Sequence, residues 1–330
     1  MNISYILNNP NVLDLKTKWT LTNRNEIVIY DELLAYNALK SKKLIQYDFI
    51  SNLKLIGHDQ VSISYISDYF KNSPLLLRGS VHIKSRLEYS RFYEQVENLL
   101  KNILPNFTDS LFNNMAGGEN ALLFIDSFLS LTFKKIIALE LNCYPEEIPD
   151  IPQSHSVFKF VPSAFELRKF NHELNSLYKF ILKRTDNKNA WLLLSIIIMG
   201  ESLRSILLYS LIHFKEDYTN DISELFDEVS AISIIPRKAL CLFKIDNLEV
   251  YKNQSVFISP FLIKFVAEKN KKIPLKNSLA FGFGIHSCPG KSIAKMISMS
   301  FLKSYLKYSN FFSINLDDGC FYRDFSLKVK

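Results

Sequence analysis

Apolar residues recur at helical spacing along most of the chain, in long segments separated by short polar or proline-containing stretches. We predict helices over residues 32–44, 81–104, 121–141, 165–183, 191–214 and 291–307. Asp31 precedes the first helix and carries the side chain of a helix N-cap. Pro105 is expected to end the second helix, because proline interrupts the helical hydrogen-bond ladder. The pattern predicts a mainly helical protein.

Two short regions are rich in β-branched and aromatic residues and predict strands instead. The first is Asn25–Tyr30, and the second covers residues 238–259 with a turn at Asp246 and Asn247. We find no internal repeat and no linker long enough to separate independent domains. The expected fold class is therefore mainly α with small β regions, formed by residues 1–330 as a single domain.

The strongest apolar run, Ala190–Gly200, has eleven residues and is too short to cross a bilayer. It predicts a buried helix. The first residues lack the charged segment and apolar segment of a secretory signal peptide. We therefore expect a cytoplasmic protein with no membrane anchor.

Composition and charge limit the classes of partner. Hydrophobic residues make up 48% of the 330 residues and charged residues 22%, a globular balance that excludes a mainly disordered chain. The net charge is +7, but the lysines are spread along the chain without a basic arm. We therefore interpret the positive charge as a solvated surface, and we expect no nucleic-acid partner.

The cysteines are Cys143, Cys241, Cys288 and Cys320, and no pair has the spacing of a zinc or redox motif. Three of the nine glycines, Gly282, Gly284 and Gly290, fall within nine residues around Cys288, just before the last predicted helix. Such crowding indicates a backbone that turns sharply or approaches another group closely. A thiol near a helix N-terminus is favoured as thiolate, which suits a soft metal ligand.

This segment resembles the haem-binding loop of the cytochrome P450 superfamily. The pattern F-x-x-G-x-[HR]-x-C-x-G is matched by Phe281, Gly284, His286, Cys288 and Gly290. The resemblance implies a cytochrome P450-like fold and a haem b cofactor with its iron ligated by Cys288. A thiolate ligand of this kind favours cleavage of the oxygen–oxygen bond.

The resemblance also implies basic donors for the two haem propionates. His82 and Arg86 have the H-x-x-x-R spacing of an early helix in the family, and Pro236-Arg237-Lys238-Ala239 matches the segment that supplies an arginine. His286 in the loop is the third expected donor. These matches occur in the family's chain order, so the resemblance extends from about residue 25 to 307.

The long apolar helix is expected to cross the distal face of the haem, where the family places an acid and an alcohol. One register assigns these proton-relay roles to Glu201 and Ser202, and we favour it. A register anchored on Gly200 would place Ser202 and Leu203 there. A structural alternative is that Glu201 is a buried acid paired with Arg204.

The E-x-x-R motif is the clearest departure from the family. Counting back from Arg237 places Glu224 at the glutamate position and Asp227 where arginine is expected. Two nearby acids repel unless a base from elsewhere joins them. The chain is also short for the family, which suggests an open pocket or a large, presented substrate.

These features favour a haem-thiolate monooxygenase that oxidises an organic small molecule or a carrier-bound substrate in specialised metabolism. No flavin or iron–sulfur motif is present, so we expect electrons from a separate acidic ferredoxin or flavodoxin, docking near Lys291 and Lys295. Two alternatives remain open. One is a haem-thiolate enzyme that uses peroxide or does not activate dioxygen, and the other is a non-catalytic relative that recruits another protein.

Overall fold

The computed structural model describes residues 1–47, 63–74, 77, 79–114, 121–153, 163–212, 222, 225–226, 234–271, 279–284 and 287–308. The described helices are α1 (Ile3–Asn8), α2 (Glu32–Lys40), α3 (Ser64–Asn72), α4 (Gly79–Asn114), α5 (Ala121–Leu141), α6 (Ala164–Leu182), α7 (Asn187–Leu194), α8 (Met199–Ile212), α9 (Pro260–Lys269) and α10 (Lys291–Tyr308). The described strands are β1 (Trp19–Leu21), β2 (Ile27–Ile29), β3 (Leu44–Gln46), β4 (Ile235–Ala239), β5 (Phe243–Ile245), β6 (Leu248–Val250) and β7 (Ser255–Ile258). The predicted fold class, mainly α with small β regions, is confirmed.

The chain divides into two compact units. The first unit includes Met1–Asp48 and Phe226–Cys288, and the second includes Phe49–Leu225 and Pro289–Cys320. The strands belong to the first unit, and the long helices belong to the second. The expectation of a single domain stays a prediction.

A five-stranded sheet organises the first unit, with strand order β1-β2-β7-β4-β3. Strands β2 and β7 run parallel, and the other neighbouring pairs are antiparallel. The β5–β6 pair forms a separate hairpin, in which Asp246 adopts a positive φ of 49°. The predicted turn at Asp246 and Asn247 is confirmed.

Both faces of this sheet are covered, so consecutive residues of a central strand enter different cores. Ile27 and Ile29 of β2 pack in a cluster with α2 and the β5–β6 hairpin. Val28 and Tyr30 pack on the opposite face with α1 and α9. This explains why β2 reads as an unbroken apolar run, because a strand buried on both faces shows no polar alternation.

Helix α2 begins as predicted, since the Asp31 carboxylate accepts a hydrogen bond from the Leu34 amide at 2.9 Å. The predicted end at residue 44 is wrong, because the helix stops at Lys40. Residues Leu44–Gln46 form β3 and pair with β4, where Leu44 lies opposite Ala239. Strand pairing with a segment far along the chain therefore overrides the local helical pattern.

Helix α4 contradicts the predicted stop at Pro105, because it continues to Asn114 with the proline inside. Helix α10 packs along α4 and stabilises the part beyond the proline. Ser300 of α10 donates a hydrogen bond to the Thr108 hydroxyl at 2.8 Å, and Ser304 donates to Asp109 at 2.6 Å. Thr108 in turn donates to the Leu104 carbonyl at 2.8 Å. Tertiary contacts thus compensate for the backbone hydrogen bond that Pro105 cannot donate.

The long apolar segment is divided into α7 and α8 by a 3₁₀ turn at Ser195–Ile198, which the sequence pattern does not predict. Two side-chain hydroxyls donate hydrogen bonds to backbone carbonyls at this break. Tyr69 donates to the carbonyl of Leu194, and Ser195 donates to the carbonyl of Leu192. The stretch Asn187–Leu211 is long and apolar enough to span a membrane, but 72% of its most apolar window is buried inside the protein. It therefore packs as a core segment.

Candidate functional site

The predicted cysteine loop folds back on itself through backbone hydrogen bonds. A 3₁₀ turn at Leu279–Phe281 leads into Gly282 and Gly284, which have φ values of 69° and 65°. The Cys288 amide donates to the Phe281 carbonyl at 2.6 Å, so the two ends of the loop lie together. The Cys288 thiol is half-buried and forms no disulfide with the described cysteines. This loop presents one thiol at a fixed position.

Aromatic packing anchors the loop within the first unit. The Phe281 ring lies 4.9 Å from the ring of Phe226. Phe283 meets Tyr36 edge-to-face at 4.7 Å, and it packs against the cluster that contains Leu279. The loop is therefore held by α2 and the sheet core, which limits the movement of Cys288.

Arg237 is the predicted arginine, and it lies on β4 on the same face as Ile235 and Ala239. These two neighbours belong to the core cluster that also contains Leu279, so β4 and the cysteine loop share one core. Arg237 is only 9% exposed, and burial lowers its pKa to about 10. Within the described part of the chain, its guanidinium makes one hydrogen bond, to the Pro236 carbonyl at 2.9 Å.

This environment fits an anionic ligand. A guanidinium has five donors and is stabilised in a buried position by a carboxylate or a phosphate. No carboxylate pairs with Arg237 among the residues that the structure describes. A thiol loop and a buried cation in one unit match the donors that a thiolate-ligated haem with carboxylate side chains would use.

His82 and Arg86 lie one turn apart on α4 in the second unit. His82 is buried, and its pKa is lowered mainly by burial and further by the Arg86 charge. Arg86 is half-buried. The same helical face continues through Tyr89 to Tyr93, because positions at intervals of four and three residues align on a helix. The predicted pair therefore belongs to a face that is mostly buried.

This face of α4 leads to Gly290, the glycine two residues after Cys288. A Cβ atom at Gly290 would lie 2.8 Å from the Sδ atom of Met199 and 3.7 Å from Cζ of Tyr93. Tyr93 also hydrogen-bonds Ser195 at 2.8 Å, at the 3₁₀ break. Gly290 thus allows the start of α10 to approach both α4 and α8. The helical spacing between His82 and Tyr93 could have indicated that Tyr93 lies on this face. The sequence contains no local pattern that predicts the contact of Met199 with Gly290.

Substitution of the two loop glycines should separate close packing from backbone strain. We expect Gly290→Ala to destabilise the protein by about 1–3 kcal/mol, because its methyl group meets Met199. The loss should be smaller in a Met199→Ala background. Gly284→Ala should cost about 1–2 kcal/mol from its positive φ alone, because none of the described residues places a heavy atom within 4 Å of its added Cβ.

Denaturant unfolding of the single and double variants measures this difference. Met199→Ala should leave the cost of Gly284→Ala unchanged. Equal costs of Gly290→Ala in the two backgrounds would contradict the packing explanation.

Glu201 and Ser202 occupy the first turn of α8, and both are half-buried. Glu201 lines a partly open cleft together with Asp126, Ser130, Gln153, Ile197 and Arg204. The Oε2 atom of Glu201 is buried. The cleft is partly open, and apolar side chains, among them Leu129, Phe133 and Ile151, supply the rest of its lining.

Arg204 forms a two-point ion pair with Asp126 on α5, with Nε–Oδ1 at 2.6 Å and Nη2–Oδ2 at 3.3 Å. Both side chains are largely buried. The sequence alternative considered Glu201 as the partner of Arg204, and the structure places Asp126 in that position. Asp126 lies 78 residues earlier in the chain, so no local pattern could have identified it.

The structure distributes the predicted residues over both units. Phe281, Gly284, Cys288 and Arg237 belong to the first, whereas His82, Arg86, Glu201, Ser202 and Gly290 belong to the second. His286, Glu224, Asp227 and Cys320 lie outside the described residues. The proposed departure from the E-x-x-R motif therefore stays a prediction.

Solved structures of cytochromes P450 match the chain over most of its length, although no family model and no curated protein matches it. Epothilone B-bound P450epoK has a TM-score of 0.71 and 13% identity, covering 92% of this chain and 91% of that one. P450BioI, in complex with a hexadec-9Z-enoic acid ligated acyl carrier protein, has a TM-score of 0.68, 14% identity and 92% coverage of each chain. P450 PksS of the Bacillus subtilis 168 bacillaene polyketide synthase has a TM-score of 0.67 and 16% identity, covering 93% of this chain and 88% of that one.

Proposed function

We propose that this chain, which has the cytochrome P450 fold, is a haem-thiolate monooxygenase acting on an organic small molecule or a carrier-bound substrate in specialised metabolism. The observation that carries the proposal is the cysteine loop, in which Phe281 and Cys288 are joined by a backbone hydrogen bond. The thiol is half-buried, and Leu279 and Phe283, which precede it in the loop, pack in or against the sheet core. Such a site suits a permanent metal ligand better than a reactive surface thiol.

The cofactor would be haem b, held by residues from several elements. We assign Cys288 as the iron ligand, with Phe281, Gly284 and Gly290 shaping its loop. Arg237, His82, Arg86 and His286 would bind the propionates. The buried guanidinium of Arg237 supports this assignment, because a propionate would supply the anion that its environment favours.

When bound, haem supplies the activation of dioxygen and the oxidation of the substrate. We assign proton handling to Glu201 and Ser202 on α8. Glu201 lines a cleft that is partly open to solvent, through which it would exchange protons with water. Ser202 follows it directly and can both donate and accept a hydrogen bond.

The proposal includes two kinds of partner. An acidic ferredoxin or flavodoxin would supply electrons, docking at the start of α10, where Lys291 is exposed and Lys295 is half-buried. The substrate would be a free organic molecule or one presented on a carrier protein. A structural neighbour in complex with an acyl carrier protein supports the carrier-bound class.

A carbon monoxide difference spectrum of the reduced protein tests the proposal. Protein produced with ample haem should show the absorption band typical of thiolate-ligated haem iron. A colourless product, or a spectrum of iron bound by another ligand, would overturn the proposed function.

Ser202→Ala should uncouple dioxygen consumption from product formation, because the proton relay loses its hydroxyl. We expect less product per dioxygen consumed and more peroxide released. Ser205→Ala is the matched control on the same helix, since Ser205 donates to the Glu201 carbonyl at 3.1 Å. Product yield and oxygen uptake, measured together, report the coupling. An unchanged yield in Ser202→Ala would remove this residue from the mechanism.

A peroxide-driven haem-thiolate enzyme is the second candidate. It is favoured by the relay position, where serine stands instead of the family's usual threonine. Efficient turnover with hydrogen peroxide in the absence of any redox partner would support it.

A further inference from the structure

A continuous row of oxidisable aromatic side chains crosses the second unit. Tyr65 lies 6.0 Å from Tyr178 between ring centroids, and Tyr178 stacks on Trp191 at 4.7 Å with planes 24° apart. Trp191 lies 6.3 Å from Tyr69. Trp191 and Tyr69 are buried, whereas Tyr65 and Tyr178 are half-exposed. The row thus has a solvent end and a buried end.

The buried end continues toward the cysteine loop. Tyr69 donates to the Leu194 carbonyl at 3.2 Å, and Tyr93 hydrogen-bonds Ser195, the next residue, at 2.8 Å. Tyr93 lies 3.7 Å from the Cβ position of Gly290. Cys288 precedes Gly290 by two residues, which limits their Cα separation to about 7 Å. The row therefore ends at Gly290, two residues along the chain from the proposed iron ligand.

Two sulfur atoms at this end are sensitive to oxidants. Met199 packs against Gly290, and Cys288 supplies the proposed thiolate. Methionine is oxidised to its sulfoxide, and a thiolate is oxidised progressively to acids that no longer serve as the same ligand. Tyrosine and tryptophan lose an electron more readily than other uncharged side chains, and transfer between rings is fast only when they lie close together.

We propose that Tyr93, Tyr69, Trp191 and Tyr178 form an electron-transfer chain that reduces an over-oxidised haem centre from the protein surface and so protects Cys288 and Met199. This inference rests on the proposed function, because haem is the site at which hydrogen peroxide becomes a strong oxidant. Without substrate, the reduction of one hydrogen peroxide to two waters consumes two electrons and two protons. The chain delivers the electrons one at a time.

At the solvent end of the row, the loss of each electron is accompanied by the loss of a proton. Tyr178 donates its hydroxyl to Asn187 at 2.9 Å in an exposed position, so its phenolic proton can pass to water when the ring loses an electron. A reductant in solution, such as ascorbate, then returns one electron to Tyr178, and the phenol regains its proton from solvent water. Two such electron transfers convert one ascorbate monoanion to dehydroascorbate, which releases one proton to solvent, and restore the chain. Burial raises the pKa of Tyr69, which keeps that phenol protonated between turnovers.

The two tryptophans of the chain provide a matched test. Trp191→Phe keeps an aromatic ring beside Tyr178 but removes the oxidisable indole, whereas Trp19→Phe makes the same change in β1, outside the row. Each haem-loaded protein is treated with hydrogen peroxide and ascorbate without substrate. Electron paramagnetic resonance reports tyrosyl radicals, and peptide mass spectrometry reports oxidation of Met199 and Cys288.

We expect the parent protein and Trp19→Phe to show a tyrosyl signal that is lost in Tyr178→Phe. Trp191→Phe should lose the same signal and accumulate more Met199 sulfoxide and oxidised Cys288. Equal radical yield and equal sulfur oxidation in Trp191→Phe and Trp19→Phe would overturn the inference. Tyr178→Phe alters a half-exposed ring, so it provides a second test if Trp191→Phe folds poorly.

The carbon monoxide difference band, recorded on the same samples, separates the two proposals. A normal band with no effect of Trp191→Phe or Tyr178→Phe rejects the electron-transfer chain alone. Absence of the band in the parent protein rejects the haem function and the protective role that depends on it.

Discussion

Replacement of Cys288 by alanine should abolish the thiolate-haem band in the carbon monoxide difference spectrum and all monooxygenase activity. The Cys288 thiol is half-buried, and a backbone hydrogen bond from Cys288 to Phe281 closes the loop that carries it. Alanine offers no electron pair to iron, and the lost thiolate is the ligand that favours oxygen–oxygen cleavage. We therefore expect complete loss of activity.

Cys241→Ser is the matched control for this prediction. Cys241 is exposed in the turn between β4 and β5, and its replacement should leave the spectrum and the activity unchanged. Circular dichroism of Cys288→Ala should remain helical, because the thiol contributes little to the packed core. Retention of the thiolate band in Cys288→Ala would contradict the assignment of the iron ligand.

Arg237→Met should have opposite effects on the haem-free and the haem-loaded protein. Without haem, the Arg237 guanidinium is buried with one hydrogen bond among the described residues, which lowers the free energy of unfolding. A methionine of similar length should therefore stabilise the fold. With haem, the variant would lose the proposed buried pair with a propionate, and loss of such a pair typically weakens binding by about 2–5 kcal/mol. We expect a higher Tm without haem and a much faster loss of haem.

The stabilising effect should depend on pH in a defined direction. Burial lowers the pKa of Arg237 from its ordinary value to about 10 in the folded protein, so in a window above pH 10 the unfolded chain binds the proton and the folded chain does not. The Arg237 contribution therefore increases the free energy of unfolding as pH rises through this window. Below pH 10 its cost is greatest, about 3 kcal/mol.

Thermal and denaturant unfolding of the parent and of Arg237→Met measures this difference, which should be largest below pH 10 and shrink above it. Arg184→Met is the control, because Arg184 is more exposed and pairs with Glu147 at 3.0 Å. Its effect should be small in both states. If Arg237→Met destabilises the haem-free protein, this result would contradict the interpretation that the buried Arg237 guanidinium is stabilised by an anionic ligand.

Local patterns could predict the elements whose stability depends on their own residues. Helix α5 begins and ends where its long helical periodicity indicated, at Ala121 and Leu141. Asp31 marks the start of α2, because an N-cap forms its hydrogen bond within one turn. The loop around Cys288 could be identified from the rare residues that it concentrates.

Contacts between distant segments explain what the sequence could not predict. Helix α4 continues beyond Pro105 because α10, about 190 residues later, bonds to Thr108 and Asp109. The break at Ser195–Ile198 involves the hydroxyls of Tyr69 and Tyr93, more than 100 residues earlier. Asp126 likewise reaches Arg204 only through the packing of α5 on α8. Such partners become neighbours only when the tertiary structure forms.

The two-sided burial of β2 limits how this part of the protein can change during evolution. A one-residue deletion in the strand would exchange the side chains that fill the two cores and would withdraw Tyr30 from its hydrogen bond with the Trp19 carbonyl. Conservative replacements of one apolar residue by another would disturb only one side. Variation in length should therefore accumulate in the connecting segments, whereas this strand should diverge only by substitution.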